Sequence, residues 1–577
     1  HGTALIKKAK GSRYSESEFK RRLWILWLPP LVFLAFFFFY PLLAVFRVGI
    51  FPPPGLPSTA VTLNDLWRPL RFTFFQAFLS TGLTLLVGLP FAYLFSHYEF
   101  PGKSFLRVLT TIPFILPTVV VAAAFNALIG PHGWLNLWLM GWFHLSSPPV
   151  NLLNTLWAIL LAHVFYNTTI VIRIVGNAWS HIDPRLGYAA SVLGANPWKR
   201  WWEVTYALLK PSMLAAVLMV FIFDFTSFGV ILLLGGPGYA TLEVDIYTQA
   251  LQMLNLRAAG LLSVLQLICT LGLTVLYSRL SARTTVTVKP RSAAETAHHP
   301  RTAGQTMMVG VLVGVLVILL VSPLAALAIR SMVRLDANRG ELGTIMSGVT
   351  TQYYSELFIN RRQSLFYVPP VMAVRNSLFY AGATVVISLL LGSLASYALT
   401  RPSRVNRWLD PLLMLPLGTS AVTLGLGFII VFNRPPIDIR NFPLLIPIAH
   451  SLVALPFVVR SLQPALASIP ESLRQAAVVL GASPWQVWRE VDLPIVARAF
   501  AVSAIFAFTI SLGEFGATSF LARPEYPTMP VAIYRFLSQP GALNYGQALA
   551  MSTILMVVCS LGIVLIERLR IPGTGDF

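Results

Sequence analysis

The sequence predicts an all-α polytopic membrane protein of about twelve transmembrane helices, arranged as two tandem six-helix halves. Three observations predict it. The 577 residues are 56% hydrophobic and 11% charged, where a soluble domain is about 25% charged, and the mean hydropathy is +0.71. Twelve windows hold the run of about 20 mostly apolar residues that a helix rising about 1.5 Å per residue needs to cross a hydrocarbon core about 30 Å thick. Finally, the chain repeats itself at an offset of 287 residues.

The predicted spans lie near 23–46, 72–95, 105–128, 153–176, 211–234, 259–280, 306–330, 376–399, 409–432, 444–464, 497–521 and 545–566. Proline-rich stretches such as Ile112-Pro113-Phe114-Ile115-Leu116-Pro117 predict kinked or partly broken helices, because proline removes a backbone donor. Orientation follows from the basic residues, which collect on the cytoplasmic side of membrane proteins. They crowd the N-terminal tail (Lys7, Lys8, Lys10, Arg13, Lys20, Arg21, Arg22), the Arg401/Arg404/Arg407 turn and the central segment with Arg283, Lys289, Arg291 and Arg301. Both termini are therefore expected in the cytoplasm. The opposite loops agree: residues 129–152 carry no Asp, Glu, Lys or Arg, and Trp134, Trp138 and Trp142 suit a segment dipping into the interface.

The same bias explains the formal charge of +20. Basic residues sit between apolar runs rather than in a patch interleaved with aromatics, so no nucleic-acid partner is expected. Cys269 and Cys559 both lie inside apolar segments, which leaves no disulfide framework and no metal-ligand spacing. The first residue is His1, not Met, as expected of a trimmed start that says nothing of a preceding targeting or tag sequence.

The expected division is a cytoplasmic tail (1–22), a first half (23–282), a linker (283–305), a second half (306–568) and a C-terminal cytoplasmic tail (569–577). Two parallel halves of six spans imply a pseudo-twofold axis along the membrane normal. The strongest repeat block is 189–204 against 476–491, AASVLGANPWKRWWEV against AAVVLGASPWQVWREV, identical at eleven of sixteen positions. It falls in the cytoplasmic loop between the fourth and fifth spans of each half. Ala-Ala-x-Val-Leu favours a short helix, Gly194 and Gly481 supply its C-terminal turn, and Asn196 or Ser483 caps a second helix opened by Pro197 or Pro484. Trp198 with Trp201, and Trp485 with Trp488, stand three apart on one face of that second helix. They suit docking to a soluble partner, or anchoring at the membrane interface.

These residues resemble a known family. Glu-Ala-Ala, three residues, Gly, nine residues, Ile-x-Leu-Pro is the coupling-loop signature of bacterial ABC importer permeases. The second half has Gln475-Ala476-Ala477, Gly481 and Val491-Asp492-Leu493-Pro494, a near-complete match. In the first half Tyr188-Ala189-Ala190 and Gly194 match, but Val204-Thr205-Tyr206-Ala207 lacks the Leu-Pro, and the leading acid is missing. The resemblance covers about 70–282 and 374–568 and implies that each loop seats in a groove of an ATPase subunit. Fused twelve-span chains of this kind resemble the ferric-iron and thiamine importer group. Gly513-Glu514-Phe515-Gly516-Ala517-Thr518 and 527–534 also look like sulfate and molybdate permeases, while 234–241 is similar to the thiamine type.

Import against a gradient needs an energy source. The nearest approach to a phosphate-cradling loop, His97-Tyr98-Glu99-Phe100-Pro101-Gly102-Lys103-Ser104, lacks the first glycine and follows a span instead of a strand. No cofactor is therefore expected in this chain. ATP and Mg belong to a homodimer of partner ATPase subunits, and the resemblance also implies an extracytoplasmic substrate-binding protein.

A charge at the centre of a membrane helix costs about 2.5–3.5 kcal/mol, so such residues are candidates for the translocation path. Asp224 and Glu514 lie late in the fifth span of their halves, but at the 287 offset Asp224 matches Ser511 and Glu514 matches Ser227. They either attract a cationic cargo or hydrogen-bond helix ends and neighbouring hydroxyls. His163 and His450 do match, inside the fourth span, and suit buried hydrogen-bonded histidines better than a metal pair without carboxylate or thiolate company. Gly235, Gly236, Pro237 and Gly238 form an outer turn, mirrored by 523–527, on the face where the resembled family receives its binding protein. The sequence puts ferric iron first as cargo, because acidic span residues suit a cation, then thiamine, then an oxyanion. A secondary transporter would share twelve spans in parallel repeats but would not need the repeated loop. A membrane-embedded enzyme would need a His, Asp or Glu cluster at a membrane surface.

Overall fold

The structure, a computed structural model, describes residues 24–51, 61–284, 297–335, 345–361, 368–400, 403–434, 437–438 and 442–569. The basic tail at 1–22, Arg401, most of the 283–305 linker and all but the first residue of the 569–577 tail lie outside the described residues. Long helices dominate. Among the described residues eleven helices are long and apolar enough to cross a membrane, or twelve if one sharply bent helix pair counts as a single span.

Several predicted spans are interrupted, each for a local reason. The stretch expected as one helix over 105–128 is two, Lys103–Ile115 and Thr118–Ile129. Pro117 forces Leu116 into the extended region (ψ 139°), so the helix stops there. The segment of membrane length is instead Thr118–Phe143, whose last part, Trp134–Phe143, exposes Trp134, Trp138 and Trp142. In the second half, 409–432 breaks into Asn406–Gly418 and Ala421–Phe432, bent by 93°. Ser420 caps the second piece by accepting from the backbone N–H groups of Val422 and Thr423. The fifth spans, expected to reach 234 and 521, end at Phe225 and Gly513, and short helices Gly229–Leu234 and Gly516–Leu521 follow.

Two compact units result. One gathers the first span up to Val45 with Arg375–Leu521 and the described end of the last helix, residues 565–569. Here the phenylalanine run around Phe36, Phe37 and Phe38 packs on Phe428 and Phe432, with Leu424, Leu452 and Leu521 in the same core. Gly427 makes this possible, since a Cβ there would lie 2.9 Å from Pro41. Trp27 donates its indole N–H to Asn406, 3.1 Å away, and Asn406 donates to the Ala398 carbonyl, so the buried amide is satisfied at both ends.

The other unit holds Phe46–Val374 and Ala522–Val564. Its axis is the packing of Leu63–His97 on Leu156–Ser180, where Gly88 admits Val171. At the matching place in the first unit, Gly392 admits Val458. Thus both halves build their central helix pair on one glycine–valine contact. Tyr247 and Tyr534, equivalent in the repeat, meet edge to face with ring centroids 6.5 Å apart. On the chain after Ala303–Arg330, a strand pair (Val333–Leu335 with Ile345–Val349) leads into a helical turn at Gln352–Phe358. Tyr353 of that turn is buried over Gly546, and Gln547 donates to the Glu356 carbonyl.

Candidate functional site

Both repeat loops fold as helix, turn, helix. In the first half, helix Pro184–Val192 ends where Gly194 adopts φ +84°. The Ala195 N–H bonds the Ala190 carbonyl and the Gly194 N–H bonds the Ser191 carbonyl, each at 3.0 Å, which closes a Schellman turn. Asn196 then accepts from the Lys199 N–H at 2.7 Å, with Pro197 at the first helical position. The second half repeats this: helix Glu471–Val479, Gly481 at φ +86°, Ala482 N–H to the Ala477 carbonyl, and Ser483 capping by exchanging bonds with Gln486. Sequence alone had placed each of these caps.

The turns present apolar side chains outward. Val192 and Leu193 are each 87% exposed, Val479 86% and Leu480 88%; Tyr188, Trp198 and Trp485 are exposed as well. Gln475, Ala476, Ala189 and Ala190 lie on the same two short helices, and Leu493 and Pro494 open the long helix beyond the second loop. Such doubled, highly exposed apolar turns have the character of a contact surface.

What ties the loops to their spans differs between halves. In the second, Arg474 Nε donates to Asp492 at 2.8 Å, with both side chains buried, and the guanidinium lies 5.9 Å from the Tyr397 ring centroid. Gly187 and Thr205 stand at the matching positions of the first half. Aromatic packing takes over there: Trp201 lies 5.4 Å from Trp179, which meets Tyr93, the counterpart of Tyr397. The predicted Trp485–Trp488 pair is stacked, centroids 4.9 Å apart. Trp198 instead meets Trp202, because Trp201 turns inward onto Trp179; the stretch that follows is π-helical in both halves, at Trp201–Tyr206 and Trp488–Asp492. Sequence reasoning missed the ion pair, since Arg474 and Asp492 are eighteen residues apart with no repeat partner to flag them.

The path candidates form one buried cluster in each half. His163 places Nε2 2.9 Å from Ser227 Oγ and Nδ1 3.3 Å from Asp224 Oδ1. Asn167 donates to the same carboxylate oxygen at 2.7 Å and Gln76 donates to the Asp224 carbonyl, while Asp224 Oδ2 is buried without a hydrogen bond among the described residues. His450 places Nδ1 2.7 Å from Ser511 Oγ, and Nε2 2.7 Å from Thr518 Oγ1 and 3.2 Å from Glu514 Oε2. Glu514 accepts from the Ala517 and Thr518 N–H groups and from Thr518 Oγ1. Hydrogen bonds to a charged group contribute about 1.5–3 kcal/mol each, so three offset the cost of placing this carboxylate in a span. Glu514 thus bonds the start of the short helix that follows it, whereas the Asp224 carboxylate meets side chains of the fourth span, Asn167 and His163.

The Gly-Lys-Ser decoy is equally explained. Lys103 donates to the Tyr98 carbonyl at 2.8 Å and to Glu99 at 2.7 Å, and so pins the turn that begins its helix. Gly102, at φ +82°, is that turn. On the opposite face, Gly236 takes φ +64° against Asn154, whose N–H bonds the Leu234 carbonyl. Beyond the seventh span, Arg361 makes a two-point contact with Glu356 at 2.6 and 2.7 Å and holds its carboxyl below the usual range.

Comparison with known proteins identifies this architecture. Residues 388–570 match the family described as binding-protein-dependent transport system inner membrane component. The chain is 26% identical to the thiamine transport system permease protein of Escherichia coli K12 over 519 residues, covering 88% of this chain and 89% of that one. A Salmonella paratyphi A protein named as a 2-aminoethylphosphonate transport system permease is 30% identical over 274 residues, 46% of this chain and 94% of its own. Among solved structures, a bacterial ABC transporter importing alginate covers 47% of this chain and 99% of its own, at 17% identity and a TM-score of 0.38. The chain belongs to the binding-protein-dependent inner membrane permeases, as a fused, multi-pass, non-enzymatic permease subunit of a type I ABC importer.

Proposed function

We propose that the chain forms the translocation pathway for thiamine, delivered by an extracytoplasmic binding protein and driven by a homodimer of ATPase subunits that hold ATP and Mg. The observation that carries the cargo is the match along most of the chain to permeases named for thiamine transport. Ferric iron, first on sequence grounds, falls behind it. In this reading both termini and the 283–305 linker are cytoplasmic, and the two halves run 23–282 and 306–568.

The exposed turns at Val192-Leu193 and Val479-Leu480 are the surfaces we assign to the two ATPase copies. Tyr188, Ala190, Trp198, Gln475, Ala477 and Trp485 flank them on the docking helices. The test is ATPase activity of the complex in liposomes, with the binding protein empty, loaded with thiamine, or loaded with ferric iron. Stimulation by the thiamine-loaded form alone is expected. Stimulation by the iron-loaded form alone would return iron to first place.

A further inference from the structure

The two buried clusters share a plan that their sequences disguise. In each half the fifth span breaks, at Thr226–Phe228 in the first and at Glu514–Phe515 in the second. In each, the histidine of the fourth span reaches both sides of the break. His163 touches Asp224 in the last helical turn and Ser227 beyond it. His450 touches Ser511 in the last turn, then Glu514 and Thr518 beyond it.

A hydroxyl of the second span stands at the equivalent position of each half. Thr384 Oγ1 lies 3.1 Å from Ser511 Oγ, whereas Ser80 is buried and its Oγ makes no hydrogen bond among the described residues. These two are equivalent, each eight residues before the glycine that admits the fourth-span valine. So the corners correspond and only the acid moves: it precedes the break in the first half and follows it in the second. A cargo ligand would be tied to one position along the path. A carboxylate that only has to accept a histidine and nearby donors can occupy either corner.

We propose that His163 and His450 are positioning residues that staple the broken fifth span of their half, with Asp224 and Glu514 as exchangeable corners of the staple and not cargo ligands. The inference rests on the permease reading for its consequence, since a staple there sets how the outer short helices Gly229–Leu234 and Gly516–Leu521 follow the long helix during transport. The geometry of the staple stands apart from that reading.

The experiment gives the first half the layout of the second. The variant Asn167→Ala/Asp224→Ser/Ser227→Glu places Ser before the break, Glu after it, and Ala at the position of Ala454. It is compared with Asp224→Ser alone and His163→Leu, in the full complex, by hydrogen exchange of peptides covering 222–234 and by the ATPase stimulation that thiamine-loaded binding protein produces. The single changes are expected to raise exchange in that stretch about tenfold, with the fourth-span peptides unchanged, and to cut stimulation about tenfold. The exchanged variant is expected to return both to within about threefold of the parent. Exchange restored without restored stimulation would contradict the staple's role in transport and leave a cargo role for Asp224. Neither restored would overturn the staple itself. The reciprocal pair Ser511→Asp/Glu514→Ser supplies an independent second trial if the first-half variant does not reach the membrane. A parent complex that shows the staple by exchange but binds no ATPase would overturn the transport reading instead.

Discussion

At the residue scale the repeat loops depend on positions that only one side chain suits. Gly194 and Gly481 hold φ near +85°, where an L-residue costs about 1–2 kcal/mol. Neither has a neighbour within reach of a Cβ, so strain and not collision limits substitution. Gly481→Val is therefore expected to leave the protein in the membrane, destabilise the turn by about 1–2 kcal/mol, and lower the ratio of uptake to ATP hydrolysed several-fold. Normal coupling in that variant would count against the loop's role. For the buried Arg474–Asp492 pair, removing one partner leaves an uncompensated charge and costs roughly 3–5 kcal/mol, whereas replacing both by apolar residues can be neutral. Arg474→Met is thus expected to destabilise more than Arg474→Met/Asp492→Leu, as read by thermal unfolding; an equal loss in both would contradict the pair's role. The glycine turns and caps were legible in the sequence because turn chemistry is local and was written twice. The ion pair was not, because its partners come from different helices of one half only.

At the element scale, breaks matter more than spans. Apolar windows located the membrane helices well, but they averaged across interruptions: the Leu116-Pro117 stop was signalled by proline, whereas the break at Glu514 shows only in the carboxylate's bonds to Ala517 and Thr518. The acid candidates stood out as costly to bury in a span, and hydropathy had no means of saying that their histidine partners lay in the fourth span. The segment between the seventh and eighth spans offers two further checks. Ala at Gly546 would drive a methyl into the Tyr353 ring, and overpacking of this kind costs about 1–3 kcal/mol. Gly546→Ala is accordingly expected to lower the melting temperature and to raise proteolysis of the 345–361 segment; an unchanged cleavage rate would argue against that anchor. Glu356, held below its ordinary value of 4.5 by Arg361, contributes stability that is fully present above that pH and is lost as pH falls through the lowered native value. The difference in melting temperature between the parent and Arg361→Gln should therefore stay constant from about pH 8 to 5 and shrink below about pH 4. A difference that grew on acidification would reverse the sign and refute the contact.

At the scale of the whole molecule, a duplicated sequence has diverged while keeping its devices. Each half retains the glycine–valine helix contact, the Schellman-turned loop and the histidine at the fifth-span break. What changed is how each device is held: Arg474–Asp492 against Trp179–Trp201, and an acid before the break against an acid after it. Fusion of two halves into one chain permits this, because each loop then needs to suit only its own surroundings. The class of protein was legible from composition and one repeated loop, since both follow from bilayer physics and local turn chemistry. The cargo was not, because acidic residues in a span read alike whether they face a cation or a histidine. The most direct measurement is ATP hydrolysis by the reconstituted complex in response to its loaded binding protein. Severalfold stimulation by the thiamine-loaded form is expected, abolished when Gly194 and Gly481 are both made Val. A chain that assembles with no ATPase, or hydrolysis indifferent to the binding protein, would contradict it.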